Sequence, residues 1–250
     1  MNKIQIKILN PRAVSDAEKM MVFAARLTQR GHSIHDMDSL MGLLEAPYQP
    51  KTIEAMTKLP HPTIQKFGVI NVAVVGASRR FLAQITRHQN EVKFMSASLQ
   101  YSDYSGQADF CVPYDVIQHG PEYVGAYIHS CRESMSYYEG AIECGIDHDA
   151  AGYMAPQGLR NILIISATPY QWKHMISQRT CRRNTDETRY VMLLIWKELA
   201  KLSAMFRDCG PFCMGGDCKE GRMTCGHRIP EGWGPEDILK SDFPEVYHES

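Results

Sequence analysis

The chain contains a polar segment whose residue types suit the binding of a phosphorylated aromatic ligand. It follows the apolar run FGVINVAVVGAS and offers Gln84, Arg87 and His88, and then the hydroxyls of Ser96 and Ser98. Arg binds phosphate through two parallel hydrogen bonds, while amide and hydroxyl groups recognise the polar edge of a ring. A solvated helix face is the alternative explanation of such a charged stripe. The position of this segment, between a core strand and a hydroxyl-rich strand, favours a ligand site.

A second cluster of cations lies in the segment HMISQRTCRRNTDETR. His174 and Arg179 fall near the end of a predicted helix, and Arg182 and Arg183 fall in the connection to the next helix. Backbone N–H groups at the start of that helix already favour an anion, so arginines at this point strengthen the prediction of an anion site. Arg189 lies in the first helical turn, where the dipole disfavours a cation, and we expect it to pair with a neighbouring acid.

The residues of the first segment need a helix and a strand to position them. Ser78 is expected to cap a helix of about three turns in RRFLAQITRH. On that helix, the spacing of three and four places Arg80 on one face with Gln84, Arg87 and His88. The following stretch, EVKFMSASLQ, alternates apolar and polar residues and is predicted to be a long strand.

The remaining elements form the scaffold around these segments. Strand patterns occur in KIQIKIL and KFGVINVAVVG. The apolar run NILIISAT is compatible with either a helix or a strand. Ser15 and Glu18 form a predicted capping box for a helix that Gly31 closes. Asp36 or Asp38 caps a shorter helix, and further helical patterns occur in PKTIEAMTKLP, PEYVGAYIHSCRESMSYYEGAIECG, PYQWKHMISQRT and TDETRYVMLLIWKELAKLSAMF.

Composition bounds the class of protein. The chain has 250 residues, 44% of them hydrophobic and 22% charged, which is ordinary for a globular domain. We predict a single α+β domain over residues 1–208, with a central antiparallel sheet flanked by several helices, and an irregular Cys/Gly-rich extension over residues 209–250. The formal net charge of −1 gives no basic footprint for nucleic acid. The sequence has no apolar run of bilayer length and no signal peptide, so we expect a cytoplasmic protein without a membrane partner.

Four cysteines in the extension pose a separate question. Cys209, Cys213, Cys218 and Cys225 are soft ligands within a short stretch and are a candidate Zn²⁺ site. Their spacing includes no CxxC pair, and reduced loop thiols without a metal are the alternative.

Taken together, the two polar segments resemble the flavin-dependent thymidylate synthases over roughly residues 60 to 200. The family signature is Arg-His-Arg, a short spacer and Ser-x-Arg-Tyr-Ser. This chain has Arg87-His88, a spacer about one residue longer, and Ser98 followed by Tyr101 and Ser102. Upstream, the Ser-Arg helix start and Gln84 fall in register. Downstream, the matching positions carry Pro156, His174, Arg179, Glu187 and Arg189.

The resemblance implies an activity and a set of ligands. Family members are cytoplasmic homotetramers that bind FAD at subunit junctions. They methylate dUMP to dTMP with carbon from methylenetetrahydrofolate and a hydride from NADPH that passes through the flavin. The residues at the positions of the family's FAD contacts are Arg87, His88, Gln89, His174 and Arg183.

The nucleotide contacts follow in the same way from the resemblance. They are Gln84, Arg87, Ser96, Ser98 and Gln100, with Arg179 as the catalytic residue. Arg179 matches the Arg that touches the uracil ring and favours its N3-ionised form, a role that suits a guanidinium because it stays charged.

This chain departs from the family pattern at three positions. Gln89 replaces the last Arg of the first motif, while Gln100 and Gly152 replace arginines that hold the nucleotide phosphate in the family. Each lost charge-assisted bond is worth about 1.5–3 kcal/mol unless another group replaces it. The candidates for compensation are Arg80, Lys93, Arg160 and Arg182, of which Arg182 is the predicted phosphate ligand.

Two alternatives to thymidylate synthesis stay open from the sequence. The phosphate site is either rebuilt, or the chain modifies a different pyrimidine deoxynucleotide, for example by hydroxymethylation. The alternative from another class is an RNA-binding module with a zinc-binding tail.

Overall fold

The computed structural model describes residue 1 and residues 3–107, 109–214 and 216–248. Its centre is an antiparallel four-stranded sheet with the strand order β1-β2-β4-β3. This arrangement confirms the predicted α+β class and decides that NILIISAT is a strand. The strands are β1 (Gln5–Ile8), β2 (Ile70–Ser78), β3 (Val92–Ser96) and β4 (Arg160–Ala167).

Ten α-helices surround this sheet within the described residues. None of them combines the length and the apolar composition that crossing a bilayer requires. The helices are α1 (Arg12–Arg30), α2 (Met37–Glu45), α3 (Pro50–Thr57), α4 (Arg79–Ile85), α5 (Tyr114–Gln118), α6 (Pro121–Glu143), α7 (His148–Ala151), α8 (Pro169–Arg179), α9 (Asp186–Leu202) and α10 (Pro235–Asp242).

The two central strands and α9 form the main core. Alternate residues of β2 and β4, such as Val74 and Ile165, point to the same side of the sheet and are fully buried. The apolar face of α9 includes Trp196, which belongs to the same cluster. Trp172 of α8 donates its indole N–H to the carbonyl oxygen of Ile70 at 3.0 Å. The helix that carries His174 and Arg179 is thus fixed against the start of β2.

Ser78 connects the end of β2 to the first turn of α9. Its Oγ accepts a hydrogen bond from the N–H of Phe81 at 3.1 Å, as the sequence predicted for an N-cap. The same hydroxyl donates to Glu187 at 2.5 Å, and the N–H of Ser78 donates to the other Glu187 oxygen at 2.6 Å. The start of α4 and the start of α9 are therefore held together by one carboxylate.

Some predicted element boundaries are wrong. The helix predicted to begin after Ser15 begins at Arg12, because Pro11 already has helical backbone angles, and the Ser15 hydroxyl donates to the Arg12 carbonyl from inside the helix. That helix ends at Arg30, and Gly31 does not adopt a left-handed conformation. The strand predicted over EVKFMSASLQ stops at Ser96.

The sequence predicted an irregular extension, but the structure contains a helix there, α10. Ile238 and Leu239 are fully buried and join the main core, together with Phe243 just beyond the helix. One short amphipathic helix among many Gly and Pro residues gave too weak a period to be recognised.

The corrected position of Ser15 and the confirmed cap at Ser78 generate a paired prediction. Ser78→Ala is expected to lower the free energy of unfolding by about 1–2 kcal/mol, because it removes a helix cap and a hydrogen bond to a partly buried carboxylate. Ser15→Ala is the matched control and should change it by less than about 0.5 kcal/mol, since Ala is a good residue inside a helix. Urea denaturation measures both values, and an equal loss in both variants would contradict the assignment.

Candidate active site

A hydrogen bond between His88 and Arg179 joins the two polar segments. The Nε–H of Arg179 donates to Nε2 of His88 at 2.8 Å. Arg179 is the last residue of α8, and His88 lies in the turn after α4. His88 is only 8% exposed, although the sequence placed it on a polar helix face. The helix ends at Ile85, so His88 turns inward.

The protonation state of His88 follows from this contact. An imidazole nitrogen that accepts a hydrogen bond carries no proton, so the proton of neutral His88 is on Nδ1. Burial, then the positive charge of Arg179 and the nearby His174, lowers the pKa of His88 from 6.5 to about 4. At neutral pH, His88 is therefore an uncharged acceptor that orients the guanidinium of Arg179.

Arg179 is held from a second side by the loop that follows it. Its Nη1 donates to Oδ1 of Asn184 at 3.2 Å. The amide of Asn184 in turn donates to the carbonyl oxygens of Gln178 and Cys181 at 2.7 and 3.2 Å. Burial and the charge of Arg87 lower the pKa of Arg179. Two nearby guanidinium groups repel each other, and an anion bound next to both relieves that repulsion.

His174 borders an open cavity next to this pair. Its ring lies edge-on to the ring of His88, with 5.9 Å between the centroids. The cavity has a volume of about 310 Å³, and its lining includes Pro60, Tyr170 and Phe212. Such aromatic and apolar walls suit a flat aromatic ligand, and Lys173 adds a cation to the lining.

Three of the predicted nucleotide contacts, Ser96, Ser98 and Gln100, lie at or beyond the other end of β3, whereas Gln84 lies in α4. Val92 begins this strand opposite Ala167, whereas Ser96 ends it opposite Leu163. Five residues of strand place these ends about 13 Å apart. Beyond Ser96, the N–H of Gln100 donates to the Ser98 hydroxyl at 3.1 Å. A single chain thus divides the predicted site into two groups, one around Arg179 and one around Ser98.

The two positions where arginines are missing lie close together in this second group. A Cβ atom added to Gly152 would lie 3.2 Å from Cβ of Leu99, the residue before Gln100. An Arg at position 152 therefore needs Leu99 to move, and Leu99 is itself buried. The two family arginines that Gln100 and Gly152 replace would therefore have lain in the same part of the site.

Arg182, the predicted phosphate ligand, has partners within the chain. Its Nε and Nη2 donate to the two carboxylate oxygens of Asp242 at 3.0 and 2.8 Å, and its Nη1 donates to the carbonyl oxygen of His227 at 3.3 Å. All three nitrogens of Arg182 are thus engaged within the chain. Arg183 is exposed, and its Nη1 donates to the carbonyl oxygen of Met223 at 2.5 Å.

The other candidates for compensation differ in their availability. Arg160 lies 3.1 Å from Asp109 and also donates to the carbonyl oxygen of Gly76, so its charge is already paired. Arg80 and Lys93 are exposed. Arg80 borders a cavity of about 550 Å³ next to Gln157, close in sequence to Gly152, and is the better placed of the two.

The predicted zinc site in the extension is not supported. Among the residues that the structure describes, no group of three or more His, Cys, Asp or Glu side chains is arranged to hold a metal ion. Cys209 is buried, and this burial raises the pKa of its thiol to about 12.

Sequence reasoning missed two residues that shape this region. Asp242 lies in the part of the chain predicted to be irregular, and Phe212 lies in the Gly-rich stretch before it. No local pattern marks either one, because their partners are distant in sequence.

Comparison with known proteins places this site in a family context. The family model described as Thymidylate synthase complementing protein matches residues 12–203. A flavin-dependent thymidylate synthase of Geobacter sulfurreducens is 25% identical over 227 residues, which cover 88% of this chain and 94% of that protein. One from Thermococcus onnurineus is 25% identical over 185 residues, 69% of this chain and 75% of that protein.

A solved structure shares the fold. The crystal structure of the UMP/dUMP methylase PolB from Streptomyces cacaoi, bound with 5-Br dUMP, superposes with a TM-score of 0.63. The match covers 82% of this chain and 93% of PolB, at 18% sequence identity.

The buried position of His88 predicts a specific pH dependence. The pKa of His88 is about 4 in the folded state and near 6.5 when unfolded, so the unfolded state binds more protons between these values. The stabilising contribution of neutral His88 is complete above pH 6.5 and is lost as the pH falls towards 4. Urea denaturation at several pH values should show the stability difference between wild type and His88→Gln shrinking over this window. A difference that stays constant with pH would contradict the assignment.

Proposed function

The chain belongs to the thymidylate synthase complementing protein family, and from this premise we propose that it methylates the uracil ring of dUMP in a flavin-dependent reaction. The observation that carries the proposal is the contact between His88 and Arg179, with Arg87 nearby. These residues occupy the matching positions of the two family motifs. In the fold they form one cationic, partly buried site.

Arg179 has the chemistry that ring methylation needs. Adding carbon to the uracil ring builds negative charge on it, and a guanidinium fixed next to the ring stabilises that charge. Neutral His88 holds the Arg179 guanidinium by accepting from its Nε–H, and Asn184 holds Nη1. Because both partners are neutral, they orient the guanidinium without cancelling its charge.

The residues around His174 fit a flavin. We propose that Arg87, His88, Gln89, His174 and Arg183 hold FAD, with the cavity beside Tyr170 and Phe212 accepting its flat ring. The exposed guanidinium groups of Arg87 and Arg183 suit the anionic diphosphate. When bound, the flavin supplies the hydride transfer that side chains do not perform. Methylenetetrahydrofolate as carbon donor and NADPH as reductant are part of the same proposal.

The two halves of the site lie at opposite ends of β3, which supports a site shared between copies of the chain. We propose a homotetramer in which Arg179 and His88 of one copy face Ser96, Ser98 and Gln100 of another. The exposure of Tyr101 and Tyr153, 84% and 90%, near this second half is consistent with a surface that another copy covers.

The nucleotide is proposed to be dUMP, with Gln84, Arg87, Ser96, Ser98, Gln100 and Arg179 as its contacts. The loss of arginines at Gln100 and Gly152 favours a second candidate, a different pyrimidine nucleotide or a modified transfer such as hydroxymethylation. Arg80 is the proposed replacement for the lost phosphate contacts, since it is exposed and borders an open cavity together with Pro156 and Gln157.

A first experiment tests the flavin and the substrate. The purified protein should show the visible absorbance of a flavin, and with methylenetetrahydrofolate and NADPH it should convert dUMP to dTMP. Parallel reactions with dCMP and UMP identify the nucleotide. A colourless protein that does not bind added FAD would remove the proposed function, whereas a flavoprotein that is active only on another nucleotide would select the second candidate.

A second experiment tests the shared site. Arg179→Ala and Ser98→Ala should each lose most of the methylation activity. When the two variants are coexpressed, about a quarter of the junctions regain both intact halves, because the copies assemble at random. Activity of the mixed tetramer should therefore rise clearly above that of either variant. Activity equal to the mean of the two variants would place the whole site within one chain.

A further inference from the structure

We propose that Asp242 is a positioning residue for this reaction, one that holds the connection between α8 and α9 and through it Arg179. The inference rests on the proposed function, because it assumes that Arg179 faces the nucleotide. Asp242 lies outside the residues that match the family model, which end at 203. It therefore adds a contribution of the C-terminal extension to a site that the matched region otherwise builds.

Asp242 lies between two arginines. Arg182 forms a fork on both of its carboxylate oxygens, and Nη2 of Arg189 donates to Oδ2. The side chains of Asp242 and Arg189 are only 10% and 6% exposed. Burial alone would raise the pKa of Asp242, but the two arginines outweigh it and hold that pKa below its usual value. One carboxylate thus pairs both with a cation in the connection and with a cation in the first turn of α9.

The connection fixed in this way is the loop that holds Arg179. Residues 180–185 carry Asn184, whose side chain accepts from Arg179 and donates to Cys181. Arg182 lies within the same six residues and donates to Asp242. A loop fixed at Arg182 leaves Asn184 little freedom, and a displacement of about 1 Å at a reacting group costs up to about a hundredfold in rate.

The extension provides a rigid support for this carboxylate. Ile238 and Leu239 of α10 are fully buried. Lys197 of α9 pairs with Glu236 at 2.9 Å near the start of α10, away from the arginines. Arg189 also lies over the ring of Phe243, with 5.1 Å from Cζ to the centroid. The helix is thus anchored independently of Asp242, which makes Glu236 a suitable control.

The decisive variant is Asp242→Asn, which keeps the shape of the side chain and removes its charge. We expect kcat/KM for the nucleotide substrate to fall about tenfold, mainly through kcat because Arg179 acts on charge that develops during the reaction, while Glu236→Gln, on the same helix, stays within about twofold of wild type. Adding Arg182→Gln to Asp242→Asn should cause little further loss, because both changes break the same contact. Asp242→Glu, which keeps the charge but moves it, should lie between Asp242→Asn and wild type.

A second measurement does not depend on activity. Hydrogen exchange followed by mass spectrometry should show faster exchange of the amides of residues 180–185 in Asp242→Asn than in Glu236→Gln. If the wild type neither binds flavin nor methylates a nucleotide, the proposed function fails, and this exchange still tests the positioning role. Unchanged exchange and an unchanged kcat/KM in folded Asp242→Asn would overturn the inference. If Asp242→Asn does not fold, the same two readouts in Asp242→Glu decide it.

Discussion

The partly buried contact between Glu187 and Ser78 is the constraint on which the candidate site depends. The two residues are 109 positions apart, and they bring the end of β2 and the start of α9 together. A carboxylate partly removed from water needs donors, and here one oxygen accepts from a backbone N–H while the other accepts from a hydroxyl. This junction joins the start of α4 to the start of α9, which directly follows α8 and its connection. In that arrangement His88 and Arg179 lie within hydrogen-bond distance.

The sequence predicted those parts of the molecule that local rules determine. The alternation in β1 and β2, the cap at Ser78 and the amphipathic α9 each depend on neighbours within a few residues, and each was confirmed. The partner of Arg182 was not predictable, because Asp242 lies 60 residues away in a stretch without a clear period. His88 was placed on an exposed helix face for a related reason. Whether a helix ends at Ile85 or continues for one more turn depends on packing against α8.

The arginines of the second polar segment have different physical roles, although their spacing is similar. Arg189 is buried and paired with acids, and Arg182 is paired with a carboxylate from the extension. Arg179 instead has two neutral partners, so its charge stays uncompensated. A residue type alone does not distinguish these cases. The useful distinction is whether the chain itself supplies the counter-charge, because an arginine without one is available to an anionic ligand.

The pairing of Asp242 with Arg189 also has a consequence for biosynthesis. A ribosome adds Arg189 to the chain 53 residues before it adds Asp242. Until α10 emerges, Arg189 lacks this buried counter-charge and keeps only the half-exposed Asp186 as an acidic partner among the described residues, and burying a poorly paired cation is unfavourable. We therefore expect the first turn of α9 to stay unfolded in the nascent chain until α10 is made. The loop of residues 180–185 would then fold late, and a chain that ends before α10 would be degraded more readily by proteases.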